Sequence, residues 1–270
     1  MSSSPRQMAR ENEQIADRGG YRTRDGVEVR IGALLEAARQ GTVSYAPEDD
    51  LGGAGQGAFR GKVEVTGEGS VEAARRLYEE GGRSVGVLNF ASARNPGGGY
   101  LGGARAQEED LCRSALLYRC LLEAPDYYAA HRKSTDLRYS HRVIFAPGVP
   151  VIRDRHGDLI ADPYPVSFLT SPAPNAGQLR LRSEQPVSVR AELCERADRV
   201  LAVAARHGVR ELVLGAWGCG VFRNDPAEVA EAFDLALGER GAAFGRVVFA
   251  VWGRQPVTPN RTAFEERFKG

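Results

Sequence analysis

Between residues 211 and 251 the chain runs strand, helix, strand, and this alternation restricts its fold more than any other feature. Residues 211–215 (ELVLG) and 246–251 (RVVFAV) are short apolar runs rich in β-branched side chains, and residues 227–238 between them read as a helix. Strands joined by a helical crossover lie parallel, and the crossovers lay helices on both faces of the sheet. The same alternation begins upstream. Residues 62–66 (KVEVT) alternate as a strand, the turn GEG leads to Ser70 as the expected N-cap of a helix over 71–80, and Gly81 and Gly82 stop it. Residues 84–90 (SVGVLNF) form an apolar run suited to a strand buried on both faces. Leu111, Ala115, Tyr118 and Leu122 then predict one helix ending near Pro125. Residues 142–146 (RVIFA) predict a strand, 187–207 a helix, and 261–269 a short terminal helix capped by Asn260. The stretch 147–185, rich in Pro, Asp and Arg, offers only VSFLTSPAPN as a further strand, and its middle is left unassigned. With no internal repeat and no low-complexity linker, a single three-layer α/β/α unit is expected, with a mixed, largely parallel central sheet.

Composition narrows the partners. A net charge of +1 gives no general attraction to nucleic acid or to an anionic membrane, so a polyanionic ligand must be gripped locally by backbone amides and a few Arg side chains. The N-terminus has no apolar segment of signal-peptide type, and no stretch approaches the roughly 18 apolar residues of a membrane span, so a cytoplasmic location is expected. Cys112, Cys120, Cys194 and Cys219 show no CxxC spacing and the four histidines are scattered. Neither a metal site, a disulfide framework nor a cofactor is expected.

Two loops leave the ends of buried strands, and in open α/β sheets such loops gather over one cleft. The first carries Asn95, Pro96, Gly97, Gly98, Gly99, Tyr100, Leu101, Gly102 and Gly103, followed by Gln107, Glu108 and Glu109 at a helix start. Three consecutive glycines lose much backbone entropy on folding, which a loop tolerates where positive φ or close ligand approach is needed. A flexible turn followed by acidic residues that merely complement the helix dipole would give a similar string, but does not account for the second GG pair and the QEE set together. Adjacent carboxylates on a helix diverge by about 100°, so one can hold a substrate hydroxyl while the other faces a scissile bond. Glycosidic cleavage needs such a carboxyl group, first to protonate the departing oxygen and then to activate water.

The second loop, Gly215 to Asn224 (GAWGCGVFRN), precedes a helix for which Asp225, Pro226 and Glu228 spell N-cap, N1 and N3. Glycine-freed amides at a helix N-terminus form an anion nest, and a diphosphate is its natural ligand. The loop lacks the lysine and hydroxyl of a Walker motif and does not match GxGxxG. Cys219 has no nearby basic partner in sequence to activate it as a nucleophile. Phe222 fits either the core or a stack against a sugar ring.

GGG followed after seven residues by QEE resembles the signature of poly(ADP-ribose) glycohydrolases, and LNFASARNPGGGYLGGARAQEEDLCR resembles their bacterial-type branch. The loop GAWGCGVFRN is similar to that branch's diphosphate-binding loop, and the resemblance extends with gaps from about Val63 to Val251. It implies a macrodomain-like fold, with residues 61–270 as the catalytic domain and residues 1–60 as a helical or irregular extension. It also implies hydrolysis of ribose–ribose O-glycosidic bonds, release of ADP-ribose without a metal, poly(ADP-ribosyl)ated proteins as partners, and a role after DNA damage. Position by position, Glu109 matches the acid/base and Glu108 the ribose-holding glutamate. Gly97, Gly98 and Gly99 match the loop against the diphosphate and distal ribose, with Asn95 bracing it and Gln107 beside it. Gly218, Cys219, Gly220, Val221 and Phe222 match the phosphate loop, with the Phe222 ring beside the ribose. By analogy with macrodomains, Glu68 and Trp252 are expected at the adenine. Two alternatives stay open: a non-catalytic ADP-ribose reader, which would not need the carboxylate pair, and a mono-ADP-ribosyl hydrolase.

Overall fold

Because successive strand residues point to opposite faces, a strand apolar at every position must be covered on both sides. Val247 and Phe249 enter one apolar cluster while Val248 and Ala250 enter the other, and Val87 and Leu88 divide in the same way. The computed structural model describes residues 4–269. The first third holds α1 (Pro5–Arg18), the hairpin β1 (Gly20–Arg22) and β2 (Glu28–Arg30), α2 (Gly32–Gln40), β3 (Val43–Tyr45), β4 (Lys62–Thr66), α3 (Ser70–Glu79) and β5 (Val85–Phe90). The middle adds α4 (Gln107–Ser114), α5 (Leu117–Leu121), α6 (Pro125–Lys133), β6 (Val143–Arg153), β7 (Leu159–Ser171) and α7 (Ala176–Arg182). The last third is α8 (Arg190–Arg206), β8 (Glu211–Leu214), α9 (Pro226–Arg240), β9 (Arg246–Ala250) and α10 (Pro259–Arg267).

Seven strands form one sheet in the order β3-β6-β7-β5-β8-β9-β4, parallel from β7 through to β4 and antiparallel at β3-β6 and β6-β7. Helices α1 to α6 pack on one face, and α8, α9 and α10 on the other. This is the expected three-layer α/β/α arrangement with a mixed, largely parallel sheet. Among the described residues no helix is long and apolar enough to cross a membrane.

The structure corrects several local expectations. The helix predicted over 111–122 breaks: Ala115 is extended (φ −123°, ψ 164°) and bridges to Val151, and the Leu116 amide donates to Pro150 O, so two short helices share one apolar stripe. Ser70 is the first helical residue rather than the cap; the Gly69 amide donates to Glu72 at 2.9 Å. Thr258, not Asn260, caps α10, accepting the Arg261 amide at 3.2 Å with Pro259 at the first helical position.

The first sixty residues join the same assembly. β3 is an edge strand of the main sheet, with Val43 opposite Phe145. On α1, the buried Asn12 donates through Nδ2 to Cys112 O (3.2 Å) and Arg113 O (2.8 Å), satisfying carbonyls in the last turn of α4.

All the parallel strands end on one side of the sheet, and the loops after β4, β5, β7, β8 and β9 collect there, joined by the loop that leads into the reversed strand β6.

Candidate active site

Helix α4 starts without a side-chain cap, and its third residue supplies one: Glu109 reaches back and accepts the Ala106 amide at 3.0 Å on Oε2. Its Oε1 accepts the Gly99 amide at 2.8 Å, tying the glycine loop to the helix start. Glu108 turns the other way, towards the end of β5. There Oε2 accepts the Ser92 amide at 2.7 Å and Oε1 accepts from Asn89 Nδ2 at 3.2 Å. The divergence expected for adjacent helical residues is thus used to aim one carboxylate at the loop and the other at the strand end. Both are nearly closed off from solvent, with Glu108 at 3% and Glu109 at 7% exposure. Burial pushes the Glu108 carboxyl up to about 8; the Ser92 and Asn89 donors pull it down and the Glu109 charge adds to the rise. A neutral Glu108 adds no charge of its own beside Glu109 near neutral pH.

The two carboxylates close around the glycine loop. Gly97 and Gly98 sit at φ +64° and +57°, in the left-handed region. A Cβ on Gly98 would lie 2.5 Å from Glu109 Oε1 and 3.1 Å from Glu108 Oε2, so only glycine lets the backbone pass between them. Gly97 faces inward instead, against Tyr118 and Cys112, and does not line the cleft. Asn95 braces the loop through its backbone, its carbonyl accepting the Gly98 amide at 3.0 Å. Gln107 clamps the end of β5: Oε1 accepts the Phe90 amide (2.9 Å), and Nε2 donates to Leu88 O (2.8 Å) and Ser70 Oγ (3.1 Å). Its amide is therefore already engaged with protein on both atoms.

Across the cleft, the loop after β8 is anchored by the buried Trp217, whose indole donates to Ser171 O at 3.1 Å. Gly218 has φ +72°, and a Cβ there would collide with Asn224 and Ala173. Gly220 meets nothing within 4 Å. Val221, 84% exposed, forms the tip, and Phe222 packs partly into the core while still lining the cleft. Cys219 does not line the cleft, and burial pushes its thiol up to about 12, as suits a packing residue. Asp225 caps α9 as expected, accepting the Ala227 amide at 2.8 Å.

The two loops are walls of one cleft of about 1930 Å³, more than the roughly 300–1,000 Å³ of an ordinary small-molecule pocket. Asn95, Gly98, Gly99, Gln107, Glu108, Glu109, Gly218, Gly220, Val221 and Phe222 all line it. Glu68 and Trp252 line it at the β4–β9 side. Trp252 is 65% exposed and unencumbered. Glu68 is held by Arg76 through two hydrogen bonds of 2.9 Å, which keep its carboxyl below the usual range.

Sequence reasoning missed three cleft features. Asn89 and Ser92 hold Glu108; the lone amide inside the apolar run SVGVLNF was the available signal for the first. Tyr139 lines the cleft from the loop before β6, and nothing in its sequence surroundings marked it. Among the described residues no group of three or more His, Cys, Asp and Glu side chains is placed to hold a metal ion.

Residues 9–154 match the family described as microbial-type PARG, catalytic domain. The crystal structure of poly(ADP-ribose) glycohydrolase from Thermomonospora curvata bound to the inhibitor ADP-HPD is 46% identical, with a TM-score of 0.89, covering 98% of this chain and 99% of that one. The Deinococcus radiodurans enzyme in complex with ADP-ribose is 49% identical, with a TM-score of 0.82, covering 89% of this chain and 99% of that one. Comparison with curated proteins gives no match. With over half the chain inside the family's bounds and near-complete overlap with both structures, this chain belongs to the microbial-type poly(ADP-ribose) glycohydrolases.

Proposed function

We propose that the chain hydrolyses the ribose–ribose O-glycosidic bonds of poly(ADP-ribose), on poly(ADP-ribosyl)ated proteins, and releases ADP-ribose. The observation that carries this is the pair of buried carboxylates set between two glycine loops in one cleft. A binding module needs amides for a diphosphate; it has no use for two nearly buried carboxylates whose desolvation is unfavourable.

In this reading the amides around Gly218 and Gly220 and the N-terminus of α9 receive the diphosphate. Trp252 offers its exposed ring to the adenine, with Glu68 and its Arg76 partner alongside. Glu108, neutral near pH 7, hydrogen-bonds hydroxyls of the ribose at the scissile bond. Glu109 donates a proton to the departing ribose oxygen as the oxocarbenium-like state develops; the resulting carboxylate then takes a proton from the incoming water. The amides of Gly99 and Ala106 fix its orientation through both steps. Residues 61–270 carry this machinery, and the first sixty residues brace it through α1 and β3.

Glu109→Gln keeps the size of the side chain and removes the transferable proton. Release of ADP-ribose from purified polymer is expected to fall at least about a hundredfold, while ADP-ribose affinity stays within about threefold, roughly 0.7 kcal/mol. Near-normal turnover by that variant would remove Glu109 from the chemistry.

A further inference from the structure

Arg196 on α8 is the least expected residue of the interior. It is 0% exposed and has no ion-pair partner among the described residues; its guanidinium donates only to backbone carbonyls, to Pro172 O at 2.6 Å, Arg138 O at 2.7 Å and Tyr139 O at 3.1 Å. Burial lowers it to about 10, which leaves it charged at neutral pH. Burying a cation without a counter-ion is unfavourable, so the three carbonyls must converge to hold it, and it in turn fixes them. They belong to the end of β7 and to the loop before β6, both on the cleft side of the sheet.

Among the described residues two non-glycine positions have positive φ, Tyr139 (59°) and Arg223 (54°). Backbone strain of this kind persists only where the surroundings over-determine it. Both positions serve the same pair of rings: Tyr139 lies 6.1 Å from Phe222, the neighbour of Arg223, at 43°. The Phe222 side is held by the Gly177 amide on Phe222 O (2.8 Å) and Arg180 on Arg223 O (3.0 Å). The Tyr139 side is held by Arg196, and His131 lies edge-on to its ring at 5.9 Å. Both rings line the cleft, on the β6–β7 side, away from Trp252 and Glu68 at the β9–β4 side.

We infer that Tyr139 is a substrate-contacting residue that completes, with Phe222, a two-ring wall against the distal ribose, and that Arg196 is the positioning residue which holds it there. This rests on the cleft being an ADP-ribose site.

The test compares ADP-ribose with ADP, which lacks the distal ribose. Tyr139→Gly deletes the ring while glycine accepts the same backbone conformation. Calorimetry should show ADP-ribose affinity reduced about three- to tenfold, the range of a lost aromatic contact, with ADP affinity within twofold. Arg196→Lys replaces the planar fork with a point donor that cannot reach three carbonyls, and should give a smaller loss of the same selectivity. Combined with Tyr139→Gly, it should add no further loss for ADP-ribose. Arg196→Met should reproduce the full selective loss if it folds; if it does not, the lysine variant and the double variant carry the test. Equal loss for both ligands, no loss for either, or full multiplicativity in the double variant would overturn the assignment. Wild-type protein that does not hydrolyse polymer would refute the functional reading, whereas normal wild-type hydrolysis with an unaffected Tyr139→Gly variant would refute only this inference.

Discussion

The two glycine loops look alike in sequence and are built for different reasons. In the loop after β5 the glycines answer to the protein: Gly97 and Gly98 need positive φ, and the space a Gly98 side chain would take is already held by Glu109 and Glu108. The loop after β8 divides. Gly218 is required by Asn224 and Ala173, but Gly220 has open space around its Cα and an exposed neighbour, Val221, in the turn that follows. At Gly98 the space a side chain would take is filled by the two carboxylates, whereas at Gly220 the backbone is left open toward the cleft.

The comparison can be broken most sharply at Gly98. Gly98→Ala forces a methyl group against Glu109, and a displacement of the acid/base by about 1 Å costs on the order of a hundredfold in rate. Single-turnover release of ADP-ribose should show this loss, and an unchanged rate would mean that the loop does not set the position of Glu109. A second measurement concerns Glu108. Its carboxyl rises from 4.5 unfolded to about 8 folded, so the folded state holds a proton that the unfolded state has lost across that window. Stability should therefore decline as pH rises between the two values, by up to about 1.4 kcal/mol per pH unit from this group. Glu108→Gln should flatten the slope in denaturant titrations; a slope unchanged by the substitution would show that Glu108 is ionised throughout. The smallest effect belongs to Gly220→Ala. Its melting temperature should match the parent's, corresponding to less than about 0.5 kcal/mol, while ADP-ribose affinity drops a few-fold. A large loss of stability would erase the distinction between the loops.

Much of this was legible beforehand because single segments carry it. β5 and β8 read correctly since strands buried on both faces are apolar throughout, and the α9 cap has its Asp-Pro-x-Glu string. Of the β6–β7 hairpin only the outer parts, 142–146 and the strand in VSFLTS, read as strand, because Pro147, Pro150, Pro163 and Pro165 argue against strands between them. The structure resolves the conflict by position. β7 pairs with β5 only from Ser167 to Ser171, and β6 with β3 only from Val143 to Phe145, so these prolines fall where the hairpin has no neighbouring strand of the main sheet, only the Ala115–Leu116 break of the α4–α5 stripe beside Pro150 and Val151, and two register shifts loosen the ladder. The break at Ala115 was hidden because both halves of the helix face the same core. In the cleft, the residues with chemical signatures were legible as strings, whereas Asn89, Ser92 and Tyr139 take their places there through contacts that the chain makes only after it folds.

The clasp of α1 on α4 has a bearing on how the site comes into being. Asn12 meets Cys112 and Arg113 across about a hundred residues, and Arg153 meets Asn12 and Glu11 across still more. Contacts closed over such separations slow folding, since loop-closure entropy is lost before they form. The last-turn carbonyls of the helix bearing Glu108 and Glu109 are therefore satisfied only when the beginning and the middle of the chain have found each other. The sheet depends on distant parts of the chain in the same way, since edge strand β4 pairs only with the last strand, β9, so core and site are completed together.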